Sequence, residues 1–164
     1  MKFAQMLLLT LMICGCSTNE EAFRIFGFAT EETDVFSSAS AEWCDRSGGE
    51  WCPRSDSGAD NLIVIQEDSD ECGIAPVGKV HAGCEIHYSS TYDRPSHTKV
   101  IILDRRTRPD WLLELRQLLL HELGHAGGCA RKPDPHLSAG NVMAAEAKDQ
   151  PEHLTTADVV CMVE

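Results

Sequence analysis

The stretch Leu118-Leu119-Leu120-His121-Glu122-Leu123-Gly124-His125-Ala126-Gly127-Gly128 carries the deciding pattern of this 164-residue chain. With Leu112, Leu113 and Leu115 before it, the run is apolar nearly all round and predicts a central, buried helix. Thr107 can cap that helix, Asp110 can complete a capping box, and Pro109 is tolerated in a first turn. Glu114, Gln117, His121 and His125 nevertheless recur at spacings of three, four and four, which draws one polar stripe along it. Four residues at ~100° each bring His125 round to within ~40° of His121, so both imidazoles can reach one metal ion. Glu122, beside His121, can reach a metal-bound water without being a ligand. Zinc lowers the pKa of such a water, and Glu122 can take its proton and pass it to the leaving amine. The motif therefore predicts a zinc-dependent endopeptidase with Glu122 as base and His121 and His125 as ligands.

Working outward, residues 99–104 and 61–66 are continuous apolar runs between polar flanks, the pattern of strands buried on both faces. Residues 23–28 alternate and predict a first strand, and 78–88 offers one or two more around Cys84. Residues 33–43 place Val35, Phe36, Ala39 and Trp43 on one helical face. The span 45–60 reads as a loop and 67–71 as an acidic turn. A long loop follows Gly128, and a short last helix starts near Thr155. Such an order predicts a single α/β (α+β) domain over residues 22–164, with one mixed, twisted sheet. Fourteen basic against 26 acidic side chains give a net charge of -12, which argues against a nucleic-acid partner. A peptide or protein substrate and a monomeric enzyme are the expectation.

Lys2 and the short apolar run 3–13 lead into Ile13-Cys14-Gly15-Cys16-Ser17, which is similar to a bacterial lipobox. Residues 1–15 are then a signal peptide, Cys16 is the lipidated N-terminus and 16–21 a tether. Ser17 points to the outer membrane, so the chain is expected to be exported and lipid-anchored to the cell envelope. That leaves Cys44, Cys52, Cys72, Cys84, Cys129 and Cys161, an even number suited to disulfides in an oxidising compartment. Six cysteines allow fifteen connectivities. Closeness in sequence favours 44–52, 72–84 and 129–161.

Over roughly residues 23–163, specifically over 118–143, the chain resembles the metzincin clan, and within it small matrixin-like peptidases. Gly128 matches the glycine three residues after the second histidine. Asn141-Val142-Met143 resembles the Met-turn, with Met143 beneath the metal, and 154–160 the capped start of the last helix. The resemblance implies one catalytic zinc ion and an active-site helix, Met-turn and C-terminal helix in that order. Arg131 stands where the clan has its third histidine, and it cannot bind zinc. His136, seven residues before Met143, is the expected replacement, with Asp134 and Glu146 as rivals. No tyrosine follows Met143, so no tyrosine-assisted oxyanion is implied. No propeptide fits between Cys16 and the first strand. A calcium ion at Asp68-Ser69-Asp70-Glu71 is the weaker alternative to a solvated acidic loop. His81, His87, His97 and His153 have no ligand spacing. Arg131 also leaves a second function open: a non-catalytic, peptidase-like lipoprotein that binds a peptide or protein partner.

Overall fold

The structure is a computed structural model and describes residues 21–67, 70–72, 82–88, 97–129, 140–144 and 150–163. Its elements run β1 (Ala22–Phe26), α1 (Thr30–Arg46), β2 (Arg54–Ser55), β3 (Asn61–Gln66), a 3-10 turn (Asp70–Cys72), β4 (Gly83–Tyr88), β5 (His97–Leu103), α2 (Trp111–Ala126) and α3 (Thr156–Val163). The five strands form one sheet in the order β2-β1-β3-β5-β4. All pairs are parallel except β4 with β5. The fold is thus mixed α and β, as the element order predicts.

The two continuous apolar runs became the sheet's middle, because a parallel strand with cover on both faces has no polar side to offer. Ile63 and Ile65 of β3 join Val100 and Ile102 of β5 in the main core, while Val64 and Ile101 on the opposite face are buried too. Asn61 ties the entry of β3 to both neighbours, donating to Ala22 O at 3.1 Å and accepting from the Thr98 N–H at 2.8 Å. At the sheet's far side β4 is its terminal strand among the described residues.

Helix α1 begins three residues earlier than its apolar face suggests. Glu32 accepts the Ala29 N–H at 2.7 Å, and one more turn forms on the strength of that cap. The same carboxylate, 2% exposed, also accepts from Arg106 and from Trp111 Nε1. One acid thereby joins the start of α1 to the start of α2. At the other end, Trp43 buries its ring against α2 and donates to Leu120 O at 3.0 Å.

Three expectations need correction. Helix α2 does not start at a Thr107 cap: residues 105–110 form turns closed by Arg108 N to Arg105 O and Trp111 N to Arg108 O. Asp104 accepts from Arg106, which pulls the chain into this turn before the helix can propagate. Nor is α2 buried all round, since Leu112 and Leu113 in its first turn are exposed. The loop 45–60 contains a short strand, β2, because the Cys44–Cys52 disulfide folds it back beside β1. All three predicted disulfides are present: Cys44–Cys52, Cys72–Cys84 and Cys129–Cys161. Among the described residues no helix is long and apolar enough to cross a membrane.

Candidate active site

Each member of the polar stripe on α2 has found a task. Glu114 takes Arg105 at 2.6 Å and Arg108 at 3.1 Å, which closes the preceding turn onto the helix. Gln117 donates to Gln150 O at 3.3 Å. His121 and His125 are both buried, their rings nearly perpendicular and their Nε2 atoms 3.0 Å apart. Two zinc–nitrogen bonds of about 2.0–2.1 Å at a tetrahedral angle hold their nitrogens about 3.3 Å apart. The histidine pair is therefore close to the bite that one zinc ion requires.

His121 Nδ1 lies 2.7 Å from Val142 O. A carbonyl only accepts, so Nδ1 carries the ring proton and Nε2 keeps the lone pair a metal needs. Val142 belongs to a turn over residues 140–144, closed by Ala144 N to Asn141 O at 3.0 Å and entered through Gly140 at φ +90°. Met143 in that turn is fully buried beneath the histidine helix. Gly124, between the two histidines, is the reason it fits. A Cβ there would lie far inside contact distance of Met143 Sδ, 3.3 Å from Met143 Cε and 3.0 Å from Trp43 Cζ2. A mid-helix glycine costs about 1 kcal/mol against alanine, and here the methionine occupies the space it leaves.

Helix α3 holds the turn from below. Asp158, fully buried, accepts the Met143 N–H at 3.1 Å, the Thr155 N–H at 2.7 Å and the Thr155 hydroxyl at 2.6 Å. Thr155 and Asp158 stand in capping-box spacing, so the cap that starts α3 is also the prop under the turn. The Cys129–Cys161 disulfide ties α3 to the chain leaving α2. That exit uses Gly128 at φ +117°, a conformation L side chains rarely adopt, with its N–H on His125 O at 2.9 Å.

Glu122 lies against the sheet. Its carboxylate lies against Gly83 at the start of β4, where a Cβ would stand 3.1 Å from Glu122 Oε1 and 2.9 Å from Ile101 O. The buried acid, 4% exposed, therefore borders β4, the sheet's terminal strand among the described residues.

The structure thus brings His121, His125 and Met143 together and sets Glu122, on the same helix, against Gly83 of β4. Arg131, Asp134, His136 and Glu146 lie outside the described residues, as does the lipobox with Cys16. Among the described residues, no group of three His, Cys, Asp or Glu side chains could hold a metal ion. In the acidic segment, Asp68 and Ser69 also lie outside them, while Glu71 accepts from Lys99 at 2.6 Å, which lowers its pKa. His97 stacks on Tyr88, and the exposed His153 faces Glu42 at 3.3 Å. Sequence reasoning missed Gln150, Gly83 and the Val142 carbonyl. The first two have no motif around them, and a backbone oxygen leaves no mark in a sequence. No protein-family model matches this chain, and no curated protein matches it.

Proposed function

We propose that this chain is a zinc-dependent endopeptidase of metzincin-like, matrixin-like build, lipidated at Cys16 and carried on the bacterial cell envelope. The observation that carries the reading is the buried histidine pair, its Nε2 atoms 3.0 Å apart and the tautomer of His121 set by Val142 O. Two imidazoles one helical turn apart, their Nε2 atoms converging and the Nδ1 of one tied to a backbone carbonyl, form the pair of ligands that a metal ion takes from a helix. The chemistry zinc supplies when bound is Lewis acidity, which polarises a peptide carbonyl and acidifies water.

This chain's own groups do the rest. His121 and His125 offer Nε2 lone pairs, and a third side chain completes the set, His136 being preferred to Asp134 and to Glu146. Glu122 accepts the proton of the attacking water on a carboxylate oxygen and returns it to the leaving amine nitrogen. Its place beside Gly83 supports a peptide substrate. An extended peptide can add to β4, the terminal strand among the described residues, through main-chain hydrogen bonds, and Gly83 at its start lies against the carboxylate.

The test pairs metal analysis of the purified chain with a peptide-cleavage assay on wild type and Glu122→Gln. The expected outcome is about one zinc per chain in both and cleavage by the wild type only. Zinc lost with Glu122, or a variant that cleaves as well as wild type, would remove Glu122 as the base. A second reading, a partner-binding lipoprotein without catalysis, is favoured by Arg131 alone. Wild-type protein that holds no zinc and cleaves nothing would select it.

A further inference from the structure

We infer that Gly83 is a positioning residue for Glu122, a role that rests on Glu122 being the base. The carboxylate lies in the space that the missing side chain of Gly83 leaves open. A Cβ there would stand 3.1 Å from Glu122 Oε1, 3.7 Å from Glu122 Cδ and 2.9 Å from Ile101 O. Gly83 is not among the glycines with positive φ, so its backbone conformation does not call for glycine. Glycine weakens a strand interior, and it marks the places where another group comes close. Here that group is a carboxylate only 4% exposed.

Both backbones around this contact are tied. Just before Gly83, Ala82 O accepts the Leu103 N–H at 3.0 Å; just after it, Cys84 is bonded to Cys72 and pairs with Ile101 of β5. Across the gap, Glu122 stands inside α2, whose Leu120 O takes the Trp43 indole N–H at 3.0 Å. Ile101 O belongs to the backbone of β5. The end of the Glu122 side chain is the one wall free to move, so a methyl at position 83 displaces the carboxylate by a few tenths of an ångström. A general base works within about 2.6–3.2 Å of the atom whose proton it takes, and small misplacements of reacting groups are costly in rate. Gly83 thereby sets how deep the carboxylate lies against β4.

The experiment is a double-variant cycle on the full chain, Gly83→Ala with and without Glu122→Asp. The shorter acid withdraws from Gly83 by one methylene and makes room for the methyl. Beside the native glutamate, Gly83→Ala is expected to lower kcat roughly tenfold, with KM and zinc affinity within about twofold of wild type. In the Glu122→Asp background the same change should cost less than about twofold in kcat. The metal-free chain supplies a readout apart from activity. There Gly83→Ala should lower the melting temperature by about 2–4 °C, and by less beside Glu122→Asp. Equal losses in both backgrounds overturn the assignment, since they mark a glycine that serves the strand alone. A Gly83→Ala enzyme with kcat near wild type does so too. If Gly83→Ala does not fold, Glu122→Asp must restore folding, and a double variant that stays unfolded also overturns the assignment. Wild type that takes up no zinc and cleaves nothing instead overturns Glu122 as the base, a result separate from the melting cycle.

Discussion

Gly124→Ala is the perturbation whose sign the structure decides against expectation. In an ordinary helix interior the change gains about 1 kcal/mol, because alanine loses less backbone entropy. Here the new methyl meets Met143 and Trp43, both fully buried, at distances below normal contact. Neither can step aside freely. Met143 has its amide on Asp158 at 3.1 Å, and Trp43 has its indole nitrogen on Leu120 O at 3.0 Å. Overpacking a filled core costs about 1–3 kcal/mol or more, and two pinned neighbours put this case at the upper end. The net expectation is a loss of roughly 2 kcal/mol, which lowers the melting temperature by about 4–8 °C for a domain this size. Urea unfolding of the metal-free chain measures it without the linkage that bound zinc would add. Met143→Ala should itself cost about 2–5 kcal/mol through the cavity it leaves. Combined with Gly124→Ala the loss should be smaller than the two added, by about 1 kcal/mol or more, because the methyl enters the vacated space. A Gly124→Ala protein as stable as wild type, or a strictly additive pair, would refute the packing of Met143 beneath the histidine helix.

Glu32 should make the fold acid-sensitive. The hydrogen bond from Arg106, outweighing desolvation and joined by Ala29 N–H and Trp111, pulls its pKa from 4.5 to about 2. A depressed carboxylate stabilises the fold above pH 4.5, and that contribution fades as pH falls toward about 2. Its size is at most ~3 kcal/mol, less screening at the partly exposed Arg106. Urea midpoints from pH 6 to pH 2.5 should fall less steeply in Glu32→Gln than in wild type, and parallel curves would exclude the assignment. For the third ligand, His136→Ala should lower zinc affinity far more than Asp134→Ala or Glu146→Ala measured beside it; unchanged affinity in His136→Ala removes that residue from the site. Cys16→Ala should move from the membrane fraction to the soluble one, and equal retention of both proteins would sink the lipid anchor.

The order of elements apart from β2, the central strands, the three disulfides and the histidine stripe were legible in the sequence, because each depends on short-range pattern. A buried parallel strand needs an unbroken apolar run, as 61–66 and 99–104 show. Two imidazoles four residues apart face one way on any helix. Cysteines 8, 12 and 32 residues apart met their nearest neighbours, since short loops close at the least entropic cost. Where propensity met distant partners, tertiary structure decided. The capping pattern at Thr107 lost to Asp104, Arg105 and Arg108, whose bonds within the turn and to Glu114 delay the helix. No local pattern singles out Glu32, yet Arg106 and Trp111 reach it across 74 and 79 residues of chain. The tautomer of His121 hangs on a backbone carbonyl 21 residues away, and the glycine at 124 on a methionine in a turn. Local pattern names the groups capable of chemistry, but hydrogen bonds are satisfied by whatever the folded chain brings within 3 Å. Only the tertiary structure chooses those partners.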